Sequence, residues 1–188
     1  METKTFLEIM HTAERLKDTL RHCTTSKRRP ESVAEHCWRA ALMAALMEQS
    51  FPDTDMHKVI RMCLIHDLGE CFTGDIPTFR KTDADRQEED TRLSQWIESL
   101  PPDLSADFAS LFEELNEQKT KEAKLCKALD QLEAVIQHNE SPLDTWSENE
   151  YELNKTHGFR TAEFSEWLTA LRQTVLCETN EKIARSRK

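Results

Sequence analysis

The sequence predicts an all-α fold, a helical bundle of about six to seven helices. Three observations carry this reading. Only 3 Gly and 6 Pro occur in 188 residues, too few turn formers for a chain of many short strands. Ala, Leu, Glu, Lys, Arg and Gln, which favour helix, dominate the composition. Apolar residues recur three and four apart along most of the chain instead of alternating. A chain of 188 residues is long enough for one domain with a sizeable core, and no repeat or low-complexity linker divides it. The expectation is a single domain over residues 1–188.

The elements follow in order. Phe6, Leu7, Met10, Ala13, Leu16 and Leu20 predict a first helix over 4–22, ending near Arg21 and His22, with a short loop over 23–30. Val33, Cys37, Ala40, Ala41, Ala44 and Met47 form the apolar stripe of a second helix over 31–50. Phe51-Pro52-Asp53 breaks it, and Asp53 or Thr54 is placed to cap a third helix over about 55–71. Gly74 and Pro77 keep 72–80 in a loop. Thr82 or Asp83 caps a fourth helix running to Leu100, highly charged up to Glu89 and then apolar at Leu93, Trp96 and Ile97. Past Pro101-Pro102, Phe108, Leu111, Phe112 and Leu115 mark a short fifth helix over 105–116. A sixth covers 120–139. Segment 141–160 is polar and reads as irregular, and a C-terminal helix covers about 161–185, with a basic tail to Lys188.

Charge and cysteine usage narrow the function classes. A net charge of −10 argues against binding a nucleic-acid polymer, which needs clustered Lys and Arg, but leaves a nucleotide monomer open. Lys27, Arg28 and Arg29 are a small basic cluster, read by default as a solvated loop. Six cysteines without a CxxC pair read as reduced core thiols. No apolar run approaches the ~20 residues of a membrane span, and METKTFLEIM lacks the apolar core of a secretory signal, so the expected location is cytoplasmic. The four tryptophans are not spaced as a stacking platform, which leaves core or dimer contacts.

The stretch Cys63–Pro77, CLIHDLGECFTGDIP, carries the chemistry. His66-Asp67, Glu70 and Asp75 follow an apolar run, where acids and imidazoles are costly unless paired or metal-bound. His36 and Asp130 likewise sit on otherwise apolar helices. Taken singly, each has an ordinary account: a lone core histidine is more often hydrogen-bonded than a ligand, and a lone Asp can lie on the wet edge of its helix. Together, two imidazoles and two carboxylates from three helices suit one borderline divalent ion such as Mn, Co, Zn, Fe or Ni, with positions left open for water and substrate.

His36, His66-Asp67 and Asp130 resemble the H…HD…D signature of the HD-domain superfamily of metal-dependent phosphohydrolases. The flanks RPESVAEH around His36, HDLGE from His66, TGDIP from Thr73 and LDQLE around Asp130 are similar to the 5′-deoxynucleotidase branch, over roughly residues 5–140. The resemblance implies an HD-domain helical bundle around a single metal site, with His36, His66, Asp67 and Asp130 as ligands. Members with two metals resemble each other in drawing extra histidines from the interval between the HD pair and the last Asp; no histidine lies between His66 and Asp130 here, which favours one ion.

It further implies that Arg21 orients the substrate phosphate, for which a planar guanidinium is suited. Glu70 matches an acid near the attacking water. Asp75, Ile76, Pro77 and Thr78 match a loop on the sugar and phosphate. His22 stands where related bacterial enzymes carry Trp, which marks the nucleoside contact as divergent. The bottom-up role of Glu70 and Asp75 is proton handling beside metal-activated water; which is acid and which is base stays open.

The implied activity is hydrolysis of deoxyribonucleoside 5′-monophosphates to deoxyribonucleoside and phosphate. A small-molecule nucleotide is the expected partner, together with a second copy of the chain as homodimer through the C-terminal helix or the 82–116 region. Two alternatives stay open: another HD phosphohydrolase acting on nucleoside triphosphates or signalling nucleotides, and a non-catalytic metal-binding helical interaction protein.

Overall fold

The computed structural model describes residues 1–186; Arg187 and Lys188, from the basic tail, lie outside the described residues. The all-α expectation holds, with one small hairpin as the exception among the described residues. Helix α1 spans Thr3–Glu14, strands β1 and β2 span Leu20–Thr24 and Pro30–Ser32, α2 spans Val33–Leu46 and α3 Met56–Ile65. A short α4 covers Glu70–Thr73, followed by α5 (Asp83–Glu98), α6 (Pro102–Glu117) and α7 (Lys121–Glu140). Helices α8 (Glu150–Thr156), α9 (Phe159–Ala162) and α10 (Glu166–Ser186) complete the chain.

The core forms where α2, α3 and α7 pack together. Ala40, Ala41 and Ala44 give α2 a face of small side chains, which lets α3 and α7 approach closely. Val59, Met62 and Cys63 of α3 meet Leu125, Leu129 and Leu132 of α7, all fully buried. A second cluster, with Leu16, Val33, Cys37, Leu68, Cys71, Leu93 and Ile97, fastens α5 and the turn after α1 over the start of α2. The six cysteines are free thiols, five of them buried. No helix among the described residues is long and apolar enough to cross a membrane.

The first helix is shorter than the sequence predicts. It ends at Glu14, a 3-10 turn follows at Arg15–Lys17, and Arg21 and His22 lie on β1, not at a helix end. Antiparallel pairing of Leu20 with Ser32 and Thr24 with Pro30 supplies the backbone hydrogen bonds that a helix would have made. The period of two turns Arg21 and Cys23 inward and leaves Leu20 and His22 more exposed. Long-range pairing here overrides local propensity.

Other boundaries shift for local reasons. Glu31 belongs to β2, and α2 starts at Val33 because Ser32 and Glu35 form a reciprocal capping box. Asp55, not Asp53 or Thr54, caps α3 through the Lys58 N–H. Helix α3 stops at Ile65; His66–Gly69 turns before α4. A Cβ at Gly69 would lie 2.7 Å from Cγ of Glu89, so the missing side chain admits α5. Thr82 caps α5, with Asp85 completing a second capping box. Pro102 opens α6 one turn earlier than expected, a position that proline's missing N–H suits.

Segment 141–160 is not irregular. It holds a 3-10 turn at Leu143–Thr145, then α8 and α9, and α10 begins only at Glu166. Partners distant in sequence order it. Arg172 of α10, fully buried, donates from Nε to the His157 carbonyl at 2.7 Å and from Nη2 to the Asn154 carbonyl at 2.7 Å. These are orphan carbonyls at the end of α8. Trp146 Nε1 donates to the His138 carbonyl at 3.1 Å. The basic cluster is a paired surface feature: Arg28 binds Asp144 through two 3.0 Å hydrogen bonds, and Arg29 forks onto Glu35.

Ser32→Ala removes the cap of α2 and is expected to cost about 1 kcal/mol in denaturant unfolding. The Arg29 hydrogen bonds, together with Ser32, hold the Glu35 carboxyl down at about 2. Its folded value lies below the unfolded one of about 4.3, so its contribution is present above that pH and lost as pH falls toward 2. The difference in melting temperature between wild type and Glu35→Gln should therefore shrink between about pH 4.3 and 2.

Candidate metal centre and active site

Four side chains meet where α2, the end of α3 and α7 converge. His36 reaches in from α2, His66 and Asp67 from the turn that ends α3, and Asp130 from α7. His36 Nε2 lies 3.3 Å from His66 Nε2, 3.3 Å from Asp130 Oδ1 and 3.7 Å from Asp67 Oδ2. His66 Nε2 lies 3.2 Å from Asp67 Oδ2 and 3.9 Å from Asp130 Oδ1. Donors about 2.1 Å from a shared ion sit about 3.0–3.4 Å apart at neighbouring coordination positions and about 4.2 Å at opposite ones; His36, His66 and Asp67 form a group that could hold one divalent cation, and Asp130 adjoins it through His36.

The tautomers agree with that fit. His66 Nδ1 is 2.9 Å from the Cys63 carbonyl, which only accepts, so Nδ1 carries the hydrogen and Nε2 presents a lone pair. His36 Nδ1 hydrogen-bonds Glu133 of α7, so its Nε2 does the same. Two imidazole lone pairs 3.3 Å apart, with two carboxylates beside them, call for positive charge between them. Titration points the same way. Burial alone would lower His66, but Asp67 and Cys37 outweigh it and the pKa is raised well above the ordinary value. For His36, burial and Arg21 work downward, while hydrogen bonds with Asp130 and Glu133 leave it raised. Asp67 is held well below its usual range despite burial, chiefly by His66. Lys127 Nζ takes Asp130 Oδ2 at 2.7 Å, which leaves Oδ1 for the centre.

Arg21 stands next to this cluster. Its Nη1 donates to Glu31 Oε2 at 3.0 Å and to Glu133 Oε2 at 3.3 Å. Nε and Nη2 make no protein hydrogen bond among the described residues, and Arg21 lines a cavity of about 270 Å³ with Asp130. Burial disfavours its charge, but Cys23, Glu133 and Glu31 raise its pKa, so it stays a cation. His22, Thr78 and Phe79 line the same cavity, as do Gln131, His138 and His157. The His22 ring meets Phe79 edge-on, centroids 5.5 Å apart. Asp75, Ile76 and Pro77 are half-buried in the loop after α4 and are not among the residues that line it.

Glu70 starts α4 and is buried, with Oε2 lacking a hydrogen-bond partner among the described residues. Burial first, then the charges of Asp67, Asp75 and Glu89, push its pKa up to about 10. Burial likewise raises Asp75, against the pull of Arg21 and His22. Asp67 and Glu70 are thus driven in opposite directions by their surroundings, the pattern of carboxylates with different proton roles. A divalent cation at the centre would draw Glu70 back down.

Sequence reasoning missed Glu133, Glu31 and Lys127. Glu133 lies three residues past Asp130, on nearly the same face of α7, and that spacing was the available signal. Glu31 had none, because its role depends on the β1–β2 pairing. The structure brings His36, His66, Asp67, Asp130 and Arg21 into one neighbourhood, with Glu70 next to Asp67 along the chain turn and His22 and Thr78 on the adjoining cavity wall, while Asp75, Ile76 and Pro77 stay off that wall.

A family model described as HD domain matches residues 13–172. The chain is 37% identical over 115 residues to 5′-deoxynucleotidase HDDC2 of Homo sapiens, covering 60% of this chain and 55% of that protein. It is 38% identical over 112 residues to the protein of the same name in Xenopus laevis, covering 58% and 54%. The chain thus spans just over half the length of these curated relatives. The crystal structure of a predicted metal-dependent phosphohydrolase from Magnetospirillum magnetotacticum MS-1 aligns with a TM-score of 0.82 at 26% identity, covering 95% of each chain.

Glu133→Gln keeps the shape beside His36 but removes the carboxylate that orients it. Divalent-metal affinity, read by titration calorimetry, should fall about 10–100-fold. Because raised histidines hold protons in competition with the ion, metal binding near neutral pH should release protons, seen as buffer-dependent binding enthalpy.

Proposed function

The chain belongs to the HD domain family, and on that premise we propose that it is a metal-dependent 5′-deoxynucleotidase. It hydrolyses deoxyribonucleoside 5′-monophosphates to deoxyribonucleoside and phosphate. One observation carries the reading: the His36, His66, Asp67 and Asp130 cluster lies beside Arg21, which lines with Asp130 a cavity of about 270 Å³, the scale of a small-molecule ligand. The two curated relatives are named for this activity, which supports the substrate class.

In this reading His36, His66, Asp67 and Asp130 hold one divalent ion at the catalytic centre. That ion supplies Lewis-acid charge toward a phosphoryl oxygen and favours ionisation of water. Arg21 turns Nε and Nη2 to the phosphate and offsets its charge. The phosphate sits between Arg21 and the cluster, and the nucleoside lies in the cavity against His22, Thr78 and Phe79. Ile76 and Pro77 shape the loop that leads there. Water attacks phosphorus in line, the P–O5′ bond breaks, and the departing O5′ takes up a proton. In the same proposal Glu70 and Asp75 handle the protons, one accepting from water and the other returning one to O5′. A cytoplasmic homodimer of single HD domains belongs to the same proposal. Exposed apolar side chains on α1 and α2, among them Phe6, Leu7, Trp38, Leu42 and Leu46, are candidate contacts for it.

The purified chain with Co²⁺ or Mn²⁺ is expected to release phosphate from dAMP, dGMP, TMP or dUMP faster than from the matching ribonucleotides. No release from any of them with metal present would sink the reading, and pyrophosphate or triphosphate from a nucleoside triphosphate would replace it. Arg21→Ala should lower kcat/KM on the order of 10²-fold or more while metal binding persists. His66→Ala and Asp67→Ala should lose metal and activity together.

A further inference from the structure

A second convergence of metal-binding side chains lies on the cavity wall. His22 of β1, His138 near the end of α7 and Glu150 at the start of α8 bring two imidazole nitrogens and a carboxylate oxygen within 4.8 Å of one another. Glu150 Oε1 is 3.1 Å from His22 Nε2 and 3.1 Å from His138 Nε2. None of the three was read from the sequence as a ligand. Two of them lie in or beside segments whose structure depends on distant pairing.

Two of the three donors are aimed from behind. His138 Nδ1 lies 3.0 Å from the carbonyl of Ala134, one turn back in α7. The carbonyl accepts, so Nδ1 carries the hydrogen and Nε2 of the neutral ring presents a lone pair. His66 is tied to the Cys63 carbonyl in the same way at the first centre. The other oxygen of Glu150, Oε2, accepts the Ser147 N–H at 2.5 Å, which turns Oε1 toward the two imidazoles. Burial would raise the Glu150 pKa, but hydrogen bonds with His138, His22 and Ser147 hold it well below the usual range, so the group is an anion. With its Nδ1 hydrogen on the Ala134 carbonyl, neutral His138 turns a lone pair toward that oxygen at 3.1 Å, a contact relieved by positive charge between them.

We infer that His22, His138 and Glu150 form a second divalent-cation site, separate from the first centre. Two histidines and one carboxylate suit a borderline ion such as Zn²⁺, Co²⁺, Ni²⁺ or Mn²⁺. His22 and His138 both line the cavity that reaches Asp130, so open coordination positions face the cavity and admit water or an anionic ligand there. The alternative source of positive charge is a proton on His138, which would need no ion.

The full chain is loaded with excess Zn²⁺, freed of unbound ion by gel filtration, and its zinc counted per chain. His22→Ala and Glu150→Gln should each retain one equivalent fewer than wild type, and the double variant no fewer than either. Combining His22→Ala with Asp67→Ala should lose two. Loading with Co²⁺ should show a visible ligand-field band that falls in His22→Ala. His22 is partly exposed on a strand, so its truncation leaves the core in place, checked by circular dichroism. Unchanged zinc content in folded His22→Ala and Glu150→Gln would overturn the inference and assign the cluster to a shared proton.

Discussion

The buried contact between His36 and Glu133 is the constraint on which the rest of the structure depends. Both side chains are fully buried, one on α2 and one on α7. Burying an imidazole and a carboxylate is costly unless each is satisfied. Here the pairing does three things at once. It draws α2 against α7, it sets the tautomer that turns His36 Nε2 inward, and it offers a second hydrogen bond to Arg21. Strand β1 is therefore held to the same carboxylate as His36. An apolar pair of equal volume would pack the helices as well, but would leave Arg21 and His36 without a common reference.

The turn at His66–Gly69 is the second device. Neighbouring helical residues point about 100° apart, yet at the end of α3 the side chains of His66 and Asp67 lean together, with His66 Nε2 3.2 Å from Asp67 Oδ2. Gly69 then lets Glu89 of α5 lie against the turn, and Lys81 pairs with Glu89 at 2.6 Å. The charged first half of α5 thus braces the segment that carries Glu70.

The far side of the cavity is built by residues after 140. Arg172 fixes the end of α8 through the Asn154 and His157 carbonyls, and Asn154 and His157 line the cavity. A buried guanidinium bound only to carbonyls is a costly arrangement, and Arg172 is drawn down to about 10 by burial. The cost is met because the same contacts place α8, and with it Glu150, against α7 and β1.

By itself the sequence determined the helical class, the apolar faces of α2, α3 and α7, and the four polar residues that interrupt them. Helical periodicity is local, and an acid or imidazole on an apolar stripe stands out without knowledge of its neighbours. The resemblance in the HD, TGDIP and LDQLE stretches added the family and the expectation that Arg21 meets phosphate. Only the tertiary structure decided that Arg21 and His22 lie on a strand, that Glu133 and Glu31 hold Arg21 while Glu150 meets His22, and that 141–160 is folded and closes the cavity. Strand pairing, buried ion pairs and carbonyl capping by Arg172 all join residues far apart in sequence, and no local pattern encodes which distant partner satisfies a buried group.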